Sequence, residues 1–241
     1  MLEFLEVAIH HTLHARQVYP KELFEPRAFY RARAQRCRHP DLDSYVESAV
    51  RSLRAPIARG DVRRVALVLK DGDSGGAGAP LERHVFDFEI HAPFLDRRVG
   101  VERRDVDELI RAFAAVVSKI SFLDACAPPI PRGALAGVTF EIVAYAGRPG
   151  VAAELGADAW SEERVGRDGG AGEATEGPAR AGGGGGGGGD ATTTTTTMTT
   201  EQRMEFAPGD AVEAFPVKSA KTKLLDLNVV LERRGGGEAE G

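Results

Sequence analysis

Residues 62–90 read VRRVALVLKDGDSGGAGAPLERHVFDFEI, and this stretch decides the fold. Val65, Leu67 and Leu69 recur at every second position of a β-branched and aliphatic run. Phe86, Phe88 and Ile90 do the same, with Asp87 and Glu89 between them. A period of two is what a strand shows when one of its faces is buried. The glycine-rich Asp71–Pro80 segment between the two runs predicts a β-hairpin with a long loop.

Working outward, the periodicity changes from two to between three and four. Upstream, Leu2, Leu5, Ile9 and Leu13, widened by Val7 and Ala8, share one face of a helix that must end before Tyr19-Pro20. That helix starts at residue 1 with no cap or lead-in, which predicts a chain beginning part-way through the element. Residues 21–39 show no sustained period and read as a basic connector. Pro40 and Asp41 then suit a first helical turn, and Leu42, Tyr45, Val46, Ala49, Val50, Leu53 and Ile57 follow as one helix stopped by Gly60. Downstream, a third helix over about 102–122 should bury Val106, Leu109, Ile110, Phe113, Val117 and Ile120, ahead of Pro128, Pro129 and Pro131. Val138, Phe140, Ile142 and Ala144 line one face of a further strand, and 211–219 and 224–232 read as two more. The order predicts an α+β fold: a mostly antiparallel sheet with three helices on one face.

Between 147 and 208 the pattern collapses. Thirteen of the 29 glycines fall in Gly166–Gly189, and eight threonines lie within Thr192–Thr200. Only Leu155, Trp160, Val165, Met204 and Phe206 could contribute to a core. A segment this long and this biased is expected to be a disordered middle between two adherent ends. Without it roughly 175 residues remain, enough for one domain with a sizeable core. The expected organisation is a single domain over 1–234, a disordered Gly/Thr-rich insertion at about 166–203, and a disordered tail over 235–241.

The 241 residues carry 36 acidic and 31 basic side chains, a net charge of −5. No apolar run approaches the roughly 20 residues that span a bilayer, and no secretory pattern opens the chain, so a soluble, intracellular protein is expected. Cys37 and Cys126 are far apart and outside any Cys-x-x-Cys spacing, which argues against a disulfide framework or a structural zinc site. Arg27, Arg31, Arg33, Arg36 and Arg38 form a basic cluster. It could be a solvated loop, a surface for an acidic protein or a contact for DNA.

Candidate chemistry is thin. His10 and His14 sit four residues apart on one helix face, with His11 beside them, and could share a cation, but a third ligand is missing. Cys37-Arg38-His39 puts a thiol beside an imidazole and arginines, although neighbours in a loop seldom reach catalytic geometry. Gly72–Gly78 (GDSGGAG) echoes phosphate loops and the nucleophile segment of chymotrypsin-like proteases, yet lacks the Gly-Lys-Ser/Thr of the former and the all-β setting of the latter. It reads as a hairpin tip. Trp160, the one tryptophan, is isolated among polar and glycine residues, where it suits an interface anchor.

Several short motifs, in order, carry a resemblance. Glu3–Ile9 (EFLEVAI), Gln17–Pro20 (QVYP), His39–Leu42 (HPDL) before Tyr45, Asp61-Val62, Leu109–Phe113 (LIRAF), Lys119–Ser121 (KIS), Thr139-Phe140 and Pro216–Lys218 (PVK) together resemble the HORMA-domain family. The resemblance covers residues 1 to about 145 and about 210 to 234, and is strongest to the branch that serves as accessory subunits of translesion DNA polymerase zeta. It implies a non-catalytic adaptor of the nucleus, with the cytoplasm as a second location, that needs no cofactor or metal. Its C-terminal segment would close like a seat belt over an extended partner peptide. By position, Tyr45 and Trp160 match the aromatics that sandwich a proline-containing peptide of the polymerase zeta catalytic subunit. Ala214, Asn228 and Val230 match the docking site for the C-terminal domain of the deoxycytidyl-transferase scaffold polymerase. Arg111 matches the arginine of HORMA–HORMA dimers. The resemblance implies neither membrane nor direct nucleic-acid contact. Two alternatives stay open: a spindle-checkpoint or meiotic-axis HORMA protein with another captured partner, and a metal- or thiol-dependent enzyme using His10 and His14 or Cys37.

Overall fold

The computed structural model describes residues 1–71, 80–91, 100–127, 130, 137–147, 151, 161–163, 195–199 and 211–235. The first helix, α1 (Leu2–Ala15), is the centre of the molecule. Phe4, Leu5, Ala8, Ile9 and Leu13 are fully buried. Only Glu3 of its residues is exposed, and the helix turns most of its surface inward. The Phe4 ring stacks on Phe113 at 4.4 Å and meets Phe86 edge-on at 6.3 Å. Each such aromatic contributes about 1.5–3 kcal/mol by burial alone.

Residues 21–39 are where the structure departs most from the sequence reading. Instead of a connector, a 3-10 turn (Lys21–Leu23) leads into a β-hairpin, β1 (Phe24–Phe29) and β2 (Ala32–Cys37), which forms its own two-stranded sheet. Phe29 faces Ala32, so the turn has two residues, Tyr30 and Arg31, with φ of 42° and 70°. Two-residue hairpin turns favour Gly or Asn because both positions need positive φ. Nothing local announces this one. The turn is held from outside: the Tyr30 hydroxyl donates to the Glu3 carboxylate at 2.5 Å, and its ring stacks on Phe113 at 5.9 Å.

The second helical run is also divided, into α2 (Pro40–Ser52) and α3 (Arg54–Arg59). Pro56 has no amide for the Ser52 carbonyl and its ring collides with it, so the helix must restart. Gly60 ends α3 in the left-handed region, φ 78°, as expected of a stop glycine. The third long helix, α4 (Arg103–Ile120), begins on a reciprocal Glu102/Asp105 capping box and is followed by the short α5 (Leu123–Cys126). Its buried stripe includes Leu109, Phe113, Val117 and Ile120 but not Val106, which is 40% exposed. Val106 lies in the first turn, beyond the part of the helix that α1 covers. Among the described residues no helix is long and apolar enough to cross a membrane.

The main sheet has seven strands in the order β6-β7-β5-β3-β4-β9-β8. Its antiparallel part comprises β3 (Val62–Asp71), β4 (Pro80–Ile90), β5 (Val138–Ala146), β8 (Val212–Lys221) and β9 (Leu225–Arg234). The expected 62–90 hairpin is therefore present, with Val65 opposite Phe86 and Leu67 opposite His84; its loop, 72–79, lies outside the described residues. On the inner face, Val65, Leu67, Phe86, Phe88, Ile142 and Leu227 pack into the helices. The outer face has a smaller buried cluster of Ala66, Val68, Val85, Val143 and Tyr145. Arg83 and Arg64 lie over the Tyr145 ring at 5.7 and 5.8 Å, and Arg64 forks onto Asp87 at 2.5 and 2.9 Å. Arginine stems cover apolar surface while their heads stay paired, which is how this face carries small hydrophobics.

Two short strands complete the sheet, β6 (Ser161–Glu163) and β7 (Thr195–Thr199). They run parallel to each other, and β7 runs parallel to β5. Within the glycine- and threonine-rich span 166–203, the described residues are those of β7, and they are strand. Leu155, Trp160, Val165, Met204 and Phe206 lie outside the described residues.

A buried ion pair fastens the end of α1 to the sheet. Arg16 donates to both Glu82 oxygens, at 2.5 and 2.9 Å, and to Asp124 at 2.6 Å. Burial pushes the Glu82 carboxyl up, but His84 and Arg16 outweigh it and hold its pKa below the ordinary value. Removing one partner strands the other charge in the core, which costs about 3–5 kcal/mol. Arg16→Met should therefore destabilise by about that amount. Arg16→Met/Glu82→Leu should cost less than Arg16→Met alone, as read from denaturant midpoints of the three proteins.

Candidate functional site

The candidate site is built at the start of β5 and on the chain that leaves α1. Helix α1 closes with Gln17 in the left-handed region, φ 54°; the Val18 amide bonds the Leu13 carbonyl at 3.1 Å and the Gln17 amide bonds His14 at 3.0 Å. This double closure redirects the chain sharply. It delivers Tyr19 against Phe140 of β5, edge-on at 6.2 Å. From α2, whose Leu42, Val46, Ala49 and Val50 are buried, Tyr45 reaches the same ring at 5.7 Å. Phe140 is buried, whereas Tyr19 and Tyr45 are half-buried. Two rigid, partly accessible rings thus flank a third beside the start of a strand, a surface that binds apolar or proline side chains at little entropic cost. Tyr19 was not singled out by sequence reasoning; an aromatic directly before Pro20 was the available signal. Trp160 lies outside the described residues, immediately before β6 in the chain.

Ala214, Asn228 and Val230 come together. Ala214 pairs with Glu232, and Glu232, Val230 and Asn228 are alternate residues of β9, so all three candidates share the outer face at the β8–β9 end of the sheet. Asn228 lies between Asp87 and Ser219, whose hydroxyl donates to its side-chain oxygen at 2.6 Å. A groove of about 390 Å³ opens here, lined by Arg63, Asp87, Glu89, Lys221, Asp226 and Asn228 among others. Arg111 is exposed on α4. It belongs to neither the aromatic cluster nor this groove.

The histidines are placed by packing. His10 is buried with Nε2 3.4 Å from Asp43, and His14 is edge-on to Phe24 at 5.2 Å, so the two are drawn to different neighbours. Among the described residues no three His, Cys, Asp or Glu side chains gather as a metal site. His11 Nδ1 accepts from the Gln35 amide at 3.2 Å, which leaves its Nε2–H to donate to Ser121 at 2.8 Å. Burial also pushes the Cys37 thiol up, away from the thiolate a nucleophile needs. Of the clustered arginines, Arg36 pairs with Glu6 and Asp43, Arg27 with Glu25, and Arg38 donates to the Glu22 carbonyl. Arg36 thus ties the hairpin to α1 and α2, while Arg27 and Arg38 bond within the hairpin and its lead-in.

With the geometry in place, the similarities fall into two levels. No family model matches the chain. At the level of fold, the chain matches a crystal structure of the mitotic checkpoint complex with TM-score 0.62 and 16% identity, covering 97% of this chain and 96% of that one. It also matches C. elegans HTP-1 bound to a HIM-3 closure motif, with TM-score 0.56 and 12% identity over 97% and 88% of the two chains. The fold is that of the HORMA domain. At the level of sequence it is 33% identical over 131 residues to the mitotic spindle assembly checkpoint protein MAD2B of Rattus norvegicus, 54% of this chain and 58% of that protein. It is 30% identical over 145 residues to the DNA polymerase zeta processivity subunit of Arabidopsis thaliana, 60% of this chain and 61% of that one. The chain therefore spans about three fifths of the length of these curated relatives.

Burial lowers the pKa of both His10 and His11 from 6.5 to about 4. Both shifts are downward, so the unfolded chain binds more protons than the native one between those values, and stability falls as pH drops through that window. From pH 7 to pH 5 each histidine should withdraw about 2 kcal/mol. Denaturant titrations at the two pH values check this, and His10→Leu should remove its own share of the slope.

Proposed function

We propose that the protein is a non-catalytic, peptide-trapping adaptor and the accessory subunit of DNA polymerase zeta. In this reading it links the catalytic subunit to a scaffold polymerase during translesion synthesis in the nucleus. The observation that carries the reading is the Tyr19–Phe140–Tyr45 cluster beside β5, in a chain similar to MAD2B and to polymerase zeta processivity subunits. An extended peptide can add to a sheet edge through backbone hydrogen bonds while alternate side chains enter pockets. The two half-buried tyrosines offer the flat walls that a proline ring fits. Trp160, one residue before β6, would supply a further wall, and the segment from β6 to β8 would be the belt.

The outer-face patch at Ala214, Asn228 and Val230 is the proposed dock for the C-terminal domain of the scaffold polymerase. It lies on the side of the sheet away from the helices, so both partners could be held at once. Arg111, exposed on α4, is the proposed dimer contact. A second reading keeps the fold and exchanges the partner for a checkpoint or chromosome-axis protein; it is favoured by the similarity to HTP-1, a protein bound to a closure motif in its own structure.

Calorimetric titration with a proline-containing peptide of the polymerase zeta catalytic subunit tests the proposal. One-to-one binding is expected, and Tyr45→Ala and Trp160→Ala should each cost about 2 kcal/mol or more, as buried aromatic anchors do. Unchanged affinity in both variants would sink the assignment of this site. Val230→Arg should abolish capture of the scaffold polymerase domain while the peptide titration stays at the wild-type value.

A further inference from the structure

The antiparallel strands β5, β3, β4, β9 and β8 are contiguous, and without β6 and β7 the sheet would end at β5. Instead Thr195–Thr199 lies along that edge, with Glu141 opposite Thr195 and Tyr145 opposite Thr199. Its far side is covered by β6, with Ser161 opposite Thr197 and Glu163 opposite Thr199. A strand from late in the chain is therefore inserted between two segments that precede it, and it runs parallel to both. Parallel neighbours cannot be joined by a tight turn and require a long connection, and 31 residues separate β6 from β7 in the chain.

We propose that Thr195–Thr199 is the intramolecular occupant of a strand-accepting slot between β5 and β6, so that an external peptide enters only by displacing it. The external ligand rests on the adaptor reading above; the occupant rests on the sheet topology alone. Strand addition by a tethered segment obeys the same physics as strand addition by a partner: the backbone of β5 gains hydrogen-bond partners whichever chain supplies them.

The composition of β7 suits a competitor that can also leave. Four of its five residues are threonine and the fifth is Met198. Threonine is β-branched and favours the extended backbone, yet its hydroxyl makes return to water inexpensive. A tether sets an effective concentration in the millimolar range. A short strand whose intrinsic dissociation constant is of that order fills the slot in about half to nine tenths of molecules. The apparent affinity of an external peptide then falls about two- to tenfold, in proportion to the open fraction.

The test uses the full chain and Thr196→Pro/Thr197→Pro. Adjacent prolines remove amides that point to opposite sides of the strand, so pairing with both β5 and β6 is lost. Hydrogen exchange over 138–146 needs no partner. The β5 amides not bonded to β3 should exchange about two- to tenfold faster in the variant, in proportion to the open fraction, while protection over 225–234 stays the same. Equal protection of 138–146 in the two proteins overturns the proposal. Should the prolines disturb folding, replacing 195–199 with alternating glycine and serine gives the same comparison.

Titration with the proline-containing catalytic-subunit peptide then reads the displacement. The variant should bind about two- to tenfold more tightly than the wild type. Equal affinity overturns the occupant and leaves the adaptor reading intact. Weaker binding by the variant also overturns it, because β7 would then complete the slot instead of filling it. Binding to neither protein, alongside the expected exchange difference, overturns the adaptor reading and keeps the occupant.

Discussion

The rest of the molecule is arranged around the burial of α1, whose residues from Ala8 to Leu13 are all inside. A surface helix shows water one face and a core the other, but α1 meets the sheet through Phe4 and Phe86, α4 through Phe4 and Phe113, and the β1–β2 hairpin through Glu3 and Tyr30. Burying so much of a helix obliges its polar residues to find internal partners. Arg16 takes Glu82 and Asp124, His11 takes Ser121 and the Gln35 amide, and His10 sits neutral beside Asp43. What looked in the sequence like a metal or catalytic cluster is the polar cost of a central helix. The low pKa values of His10 and His11 follow from that burial.

The same arrangement prepares the candidate site. The double closure at the end of α1 throws Tyr19 onto β5, and α2, held to α1 through Arg36, Asp43 and Glu6, brings Tyr45 to the same ring. The aromatic cluster therefore stands on elements packed into the core, and β7 and β6 lie along the edge of β5. The outer face is independent of this: its small apolar cluster is roofed by Arg64 and Arg83, and the Asn228 groove adjoins it at the other end of the sheet.

The sequence alone determined the elements whose pattern is local and strong. The 62–90 hairpin, the α4 stripe from Leu109 to Ile120 and the alternation of Leu225, Leu227, Val229 and Leu231 all write their buried face into consecutive residues. Short motifs in order were enough to reach the HORMA fold. Tertiary structure decided what depends on partners distant in the chain. The Tyr30-Arg31 turn has positive φ without glycine, and only contacts to Glu3 and Phe113 secure it. The Arg16–Glu82 pair joins residues 66 positions apart. The pairing of Thr195–Thr199 with β5 is chosen by an open sheet edge, because a run of threonines prefers an extended backbone but does not specify its neighbour. Periodicity records how a residue faces its own element; which element it then meets is settled by three-dimensional packing.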